Sequence, residues 1–146
     1  MAEYNISTKE EQELLKGLEK RDDADALRMK RYLSMPDLSR TDGSPIKALI
    51  DKAKNVEGLK GFDDIKIPEV VPYDVNFDLF NYPPDHPARS KSDTYFVDEK
   101  NVLRTQTTVS WYYYLTSDFG KEKIKNNESI GVISYGKVYR KDEIDR

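Results

Sequence analysis

The chain has 146 residues, 35% of them charged and 37% apolar, with a formal net charge of −3, a single histidine and no cysteine. That balance predicts a soluble folded chain with strongly solvated segments, and it excludes disulfides, thiolate metal sites, thiol nucleophiles and a nucleic-acid binder driven by overall positive charge. No apolar run approaches the ~20 residues of a membrane helix and no signal-peptide pattern opens the sequence, so the cytoplasm is the expected compartment, without membrane contact.

Residues 7–34 read as helical. Ser7 and Glu10 are spaced as a capping box, and Asp22 or Asp23 offers a second cap before a segment whose Leu27, Tyr32 and Leu33 share an apolar side. This charged arm is a pair of solvated surface helices or, alternatively, an RNA- or partner-binding pair. A turn-rich stretch at 34–45 follows. Ser44 then caps a helix that begins on Pro45 and carries Ile46, Leu49, Ile50 and Ala53 at helical spacing.

From residue 61 the pattern changes. "DDIKIPEVV" is short and β-like. In "YDVNFDLFNY", Val75, Phe77 and Leu79 alternate as in a strand, while Phe77 and Phe80 sit three apart as in a helix, so periodicity leaves both open. "DTYFV", "DEKN" and "VLRTQ" read as a β-hairpin. "VSWYYYLTSDF" reads as a helix with Trp111, Tyr114 and Leu115 on one face, and "SIGVISYGKVYRKD" as strand material broken by Gly131 and Gly136. His86 lies in the proline-rich "NYPPDHPAR", where it is a structural loop residue or a general base. No phosphate loop, dinucleotide fingerprint or zinc-protease motif is present. The residues alone give an α+β fold with an unusual polar loop.

Three stretches together resemble the phenylalanyl-tRNA synthetase α-subunit family of class II aminoacyl-tRNA synthetases. "NFDLFNYPPDHPARSKSDTYF" at 76–96 is similar to the first class II motif region with its His-Pro-Ala-Arg core. "LRTQTT" at 103–108 is similar to the family's Leu-Arg-Thr-His-Thr-Ser, and "GKVYRKDEID" at 136–145 to the first half of the second motif. The resemblance covers residues 66–146. Residues 1–60 do not match the long basic coiled-coil arm of bacterial members and stand as a helical N-terminal segment ahead of a partial catalytic domain at 61–146. The implied fold is N-terminal helices followed by a truncated class II antiparallel sheet with flanking helices, and the likeness shifts "YDVNFDLFN" towards helix.

The resemblance also implies roles. Arg140 falls where the family contacts the α-phosphate of ATP, and Asp142 where an acid recognises the adenine amino group, its plainer reading being a surface carboxylate. Gln106 and Thr108 fall where the family has His and Ser beside the bound phenylalanine. His86 and Pro87 belong to a stiff structural loop, with Arg89 bracing that loop or a subunit contact. Trp111 stands where the family commonly has glutamine. ATP and Mg²⁺ belong to the parent enzyme, neither expected to bind this chain tightly. The expected partners are a synthetase β subunit or a second α copy, and phenylalanine tRNA. Because the family's remaining motifs would lie past Arg146, the chain is expected to be an N-terminal piece of a phenylalanine–tRNA ligase α subunit that is inactive by itself. The alternative is a non-catalytic synthetase-like module that binds RNA or a synthetase subunit.

Overall fold

The computed structural model describes residues 1–142. In chain order its elements are β1 (Glu3–Asn5), α1 (Lys9–Glu19), α2 (Ala24–Ser34), α3 (Pro45–Lys54), β2 (Asp63–Lys66), β3 (Val70–Pro72), α4 (Tyr73–Asn76), β4 (Asn101–Leu103), α5 (Ser110–Thr116), α6 (Asp118–Lys125) and β5 (Val132–Ser134). This is an α+β fold. The chain divides into two compact units and passes between them repeatedly. One unit holds Met1–Ile6, Pro36–Ile67 and Thr107–Lys137; the other holds Ser7–Met35, Pro68–Gln106 and the chain from Val138 onward. None of the described helices is long and apolar enough to cross a membrane.

The first unit is built on a three-stranded sheet in the order β1-β2-β5, and both pairings are parallel. The expected antiparallel pairing occurs elsewhere, between β3 and β4. A parallel sheet covered on both faces normally has an apolar central strand. Here β2 opens with two carboxylates, Asp63 and Asp64, both buried. Successive strand residues point to opposite faces, so each carboxylate meets its own set of partners. Asp63 receives the Tyr114 hydroxyl from α5 and the Lys123 ammonium from α6, the latter at 2.6 Å. Asp64 receives the Lys54 ammonium from α3 and the Tyr135 hydroxyl, the latter at 2.7 Å. Each buried charge thus has a countercharge and a neutral donor, which is what tolerating it requires. The Arg40 guanidinium lies 4.1 Å from the Tyr135 ring centre and closes this side.

These polar anchors decide which helix faces are buried. On α5, Tyr114 turns inward with Tyr113 and Ser110, whereas Trp111 and Leu115 are exposed. The expected shared face of Trp111, Tyr114 and Leu115 is therefore corrected: reaching Asp63 sets the rotation of the helix. Ser44 caps α3 as expected, its hydroxyl accepting from the Ile46 N–H at 3.2 Å, with Pro45 at the first position. None of the α3 residues is buried, and Leu49 is 66% exposed.

In the second unit, Thr8 caps α1, accepting from the Glu11 N–H at 3.1 Å. The expected Ser7 cap is thus one residue early. Asp23 caps α2. The core comprises Leu18, Ala26, Met29, Val70, Val97 and Leu103, with Tyr32 and Leu33 packed against it, while Leu27 is exposed. Pairing of β3 with β4 places Val70 opposite Leu103 and Val71 opposite Val102. The hairpin also forms, with Leu103 N–H donating to the Tyr95 carbonyl at 2.9 Å. Its turn is organised by Asp98, whose carboxylate accepts from the Lys100 and Asn101 N–H groups at 2.8 Å. The ambiguous 73–82 segment is helical: α4 runs into a 3₁₀ turn at Asp78–Phe80 that ends on Asn81 in the left-handed region, φ 57°. Among the described residues, strand structure after α6 is confined to β5, and Gly136 at φ 142° follows it.

Two tests follow from this packing. Gly120, in the first turn of α6, faces the end of α5, and a Cβ there would run into the Tyr114 carbonyl oxygen. Gly120→Ala is expected to destabilise by about 1–3 kcal/mol, as overpacking against backbone does; urea unfolding measures it. Glu11 on α1 accepts from the Val70 N–H at 2.9 Å, and burial pushes its carboxyl above its ordinary value of 4.5. The native state then holds that proton more tightly than the unfolded chain. Stability contributed here falls as pH rises from 4.5 through the raised native value. Glu11→Gln keeps an acceptor for Val70 and is expected to flatten that fall in urea midpoints measured across the window.

Candidate functional site

The second unit brings most of the sequence-marked residues to one place. After β4 the chain continues as Arg104–Thr105–Gln106. The Tyr139 N–H donates to the Arg104 carbonyl at 3.0 Å, and the Lys141 N–H to the Asp93 carbonyl at 2.8 Å. The segment carrying Arg140 is therefore held by backbone bonds on both sides of that residue. Tyr139 is buried and donates its hydroxyl to Glu69. A cleft of about 380 Å³ opens beside this segment, lined among others by Arg140, Tyr139, Asp93, Thr105, Tyr82 and His86.

Arg140 stands at the edge of the cleft with its side chain 80% exposed, its Nε 2.7 Å from an Asp142 carboxylate oxygen. Both partners of that pair face water, so the pair itself contributes little. Pro87 also lines the cleft, at the start of a 3₁₀ turn covering Pro87–Arg89. His86 caps this turn, its Nδ1 accepting from the Ala88 N–H at 3.1 Å, and its ring meets Tyr82 edge-on at 4.9 Å. One imidazole nitrogen is therefore engaged in holding the loop, which favours the structural reading of His86 over a general base.

Arg89 ties the loop at several points. Its guanidinium donates to the Tyr73 hydroxyl at 3.2 Å, to the Asp78 carboxylate at 2.5 Å and to the Tyr82 carbonyl. It also lies 5.5 Å from the Tyr73 ring centre and 5.6 Å from that of Phe77. The Tyr73 hydroxyl and then the Asp78 carboxylate raise its already high pKa. The side chain thus pins the proline-rich loop onto α4 and the turn after it.

Gln106 sits at the end of the second unit, half-buried, donating from Nε2 to the Asn76 carbonyl at 2.9 Å. Thr108 belongs to the first unit and is exposed. Strand β4 ends at Leu103, and residues 107–109 turn into α5, with the Thr108 carbonyl accepting from the Trp111 N–H at 3.1 Å. Residues 104–109 are not in a strand. Sequence reasoning missed Asn76, Thr105 and Tyr139. Asn76 is fully buried, and the one signal for it was an amide inside an otherwise apolar stretch. Among the described residues no group of three or more His, Asp or Glu side chains converges as a metal site.

A family model for the tRNA synthetase class II core domain (F) matches residues 31–146. The chain belongs to the class II tRNA synthetase core family. It is 34% identical to the phenylalanine–tRNA ligase α subunit of Ligilactobacillus salivarius over 137 residues, covering 87% of this chain and 38% of that protein. The like-named subunit of Persephonella marina is 34% identical over 143 residues, with 96% and 38% covered. That of Clostridium perfringens is 35% identical over 115 residues, with 77% and 32% covered. The chain therefore spans less than two fifths of the length of these relatives.

The Arg89 ties give a direct test of the loop. Arg89→Lys keeps the charge and loses the planar fork that serves three acceptors. The variant is expected to unfold at lower urea concentration, and limited proteolysis is expected to cut between residues 82 and 92 where the wild type resists.

Proposed function

We propose that the chain supplies part of the amino-acid-activating site of a phenylalanine–tRNA ligase α subunit. The observation that carries this reading is the cleft in the second unit, where Arg140, at the position of the family's α-phosphate arginine, shares a wall with Thr105 and with the His86–Pro87 loop. In the reaction the phenylalanine carboxylate attacks the α-phosphorus of ATP. The bond to the bridging oxygen breaks, pyrophosphate leaves and the adenylate forms. A hydroxyl of the tRNA terminal ribose then attacks the acyl carbon, the acyl–phosphate bond breaks and AMP leaves. Negative charge grows on the α-phosphate oxygens in the transition state. A planar guanidinium stabilises it without moving a proton. Asp142, now paired with Arg140, is assigned to the adenine amino group once ATP takes its place on the arginine. Gln106 and Thr108 are assigned to the amino acid.

The partner is a synthetase β subunit or a second α copy, and the setting is the cytoplasm. The exposed apolar stripe Ile46–Leu49–Ala53 on α3 supports such a partner, since an apolar stripe on a helix is ordinarily covered. Gln106 favours the second reading, a non-catalytic module for RNA or a synthetase subunit, because an amide cannot change charge as the family's histidine can.

Phenylalanine-dependent ATP–pyrophosphate exchange by the assembled ligase carrying this chain separates the two. Exchange above a no-enzyme blank is expected. Arg140→Lys is expected to lower it by about 10²-fold, the scale of removing one preorganised transition-state donor. Near-normal exchange in the variant removes Arg140 from the role, and RNA or subunit binding without exchange establishes the module.

A further inference from the structure

We infer that the groove between α1 and the hairpin of residues 95–103 docks a segment of a partner protein in which an apolar side chain is flanked by lysine or arginine. The groove lies within the second unit and has a volume of about 580 Å³. It shares no lining residue with the cleft that holds Arg140, so it stands independently of the activation reading. Glu10, Glu13, Leu14 and Gly17 come from one side of α1, three and four residues apart. The apolar lining is Leu14 and Leu18 from α1, Pro72 from the end of β3 and Val97 from the hairpin. Leu18 and Val97 are buried, whereas Leu14 and Pro72 still face water in part. An apolar side chain seated here removes that remaining surface from water.

Two further observations define the occupant. The first is room. Gly17 sits inside α1, where a glycine weakens the helix, yet no atom lies within 4 Å of the place its Cβ would take. Packing therefore does not require a glycine there; what its missing side chain provides is open space in the groove. The second is charge. The lining carries three carboxylates, Glu10 and Glu13 on α1 and Asp98 on the hairpin, against one guanidinium, Arg21. Arg21 is already engaged: it donates to the Val97 carbonyl at 2.6 Å and to both carboxylate oxygens of Asp23. Glu10 and Glu13 are exposed and form no ion pair among the described residues. An apolar lining with an acidic rim complements an apolar side chain between cations. The same rim repels a phosphate backbone. Of the two partners that the charged N-terminal helices allow, RNA or protein, this groove fits protein.

The test titrates the full chain into a fluorescent peptide, Lys-Arg-Leu-Leu-Arg-Lys, and reads its anisotropy. The acidic counterpart Glu-Asp-Leu-Leu-Asp-Glu and a single-stranded RNA oligonucleotide are the other probes. The cationic peptide is expected to bind, and the other two are not. Gly17→Leu fills the groove and is expected to weaken that binding by about tenfold or more. Leucine is the better helix former and its Cβ meets no neighbour there, so the urea midpoint is expected to hold or rise. Glu10→Gln combined with Glu13→Gln is the second variant, at two exposed positions. It is expected to weaken binding and to lose less of it as ionic strength rises to about 1 M, where charges act over only about 3 Å. No binding of the cationic peptide, equal binding of the acidic one, or undiminished affinity in either variant overturns the inference. RNA bound in the peptide's place and lost in Gly17→Leu gives the groove to nucleic acid and overturns it as well. Self-association of the chain that Gly17→Leu abolishes makes a second copy the occupant, with the same consequence.

Discussion

Four consecutive residues, Leu103–Gln106, hold the second unit together. Leu103 N–H donates to Tyr95 O at 2.9 Å and Arg104 N–H to Glu69 O at 2.9 Å, while Arg104 O accepts from Tyr139 N–H at 3.0 Å. Thr105 and Gln106 are tied to Asn76. Four stretches distant in sequence thus share one line of backbone. Buried backbone groups must be paired, so each stretch has its place fixed by the same segment. The Arg104 side chain is buried as well and reaches the Pro68 carbonyl at 3.3 Å, so the segment is anchored from inside as well as along its edges. A site that borrows Arg140 from one stretch, His86 from another and Thr105 from the segment itself gets its geometry from this line. The precision comes from ladder bonds and buried amides, which is the support that binding groups on loops otherwise lack.

The first unit solves a different problem. Its central strand begins with two carboxylates that a parallel sheet would ordinarily reject. Burial of an unpaired carboxylate is prohibitive, and a paired one still carries a desolvation cost. The Asp63 set draws in one residue from each of α5 and α6. The Asp64 set draws in Lys54 from α3 and Tyr135 beyond β5. Burial pushes the Tyr114 and Tyr135 hydroxyls above their ordinary value, and hydrogen bonding to the two aspartates raises the Lys54 and Lys123 ammonium groups. The lysines thus stay charged at neutral pH and remain donors. These bonds specify register and helix rotation; the Trp111 and Tyr114 exchange of faces on α5 is their visible consequence.

Local chemistry was legible in the sequence, and long-range pairing was not. The Ser44–Pro45 start of α3 and the turn at Asp98 each depend on a few adjacent residues and read correctly from them, and Asp23 is one of the two caps the sequence offers for α2. The cap of α1 slipped from Ser7 to Thr8 because two adjacent hydroxyl residues fit the same rule and only packing chooses. Strands β1, β2 and β5 are three or four residues each. No two-residue periodicity can be recognised over such a length, and their parallel pairing joins residues far apart in sequence. Buried carboxylates such as Asp63 and Asp64 carry no mark in the sequence, because carboxylates are almost always exposed. Asn76 was hidden for the converse reason: it lies where strand and helix patterns overlap, so its side chain could be assigned to neither face.

The helix α3 shows how these levels meet. A ten-residue helix is marginal in water, and this one buries none of its residues. What holds it is chemistry at its ends and one side: the Ser44 cap, Pro45 at the first position, the Lys47–Asp51 pair at 2.7 Å one turn apart, and Lys54 bonded to Asp64. Exposed ion pairs contribute little, so the contact to the buried Asp64 is the principal tertiary tie. The same carboxylate that settles one face of β2 therefore fixes the last turn of α3, and with it the direction in which Ile46, Leu49 and Ala53 face outward. The unburied stripe is aimed by a buried charge. This links the sheet to the subunit contact proposed for this helix.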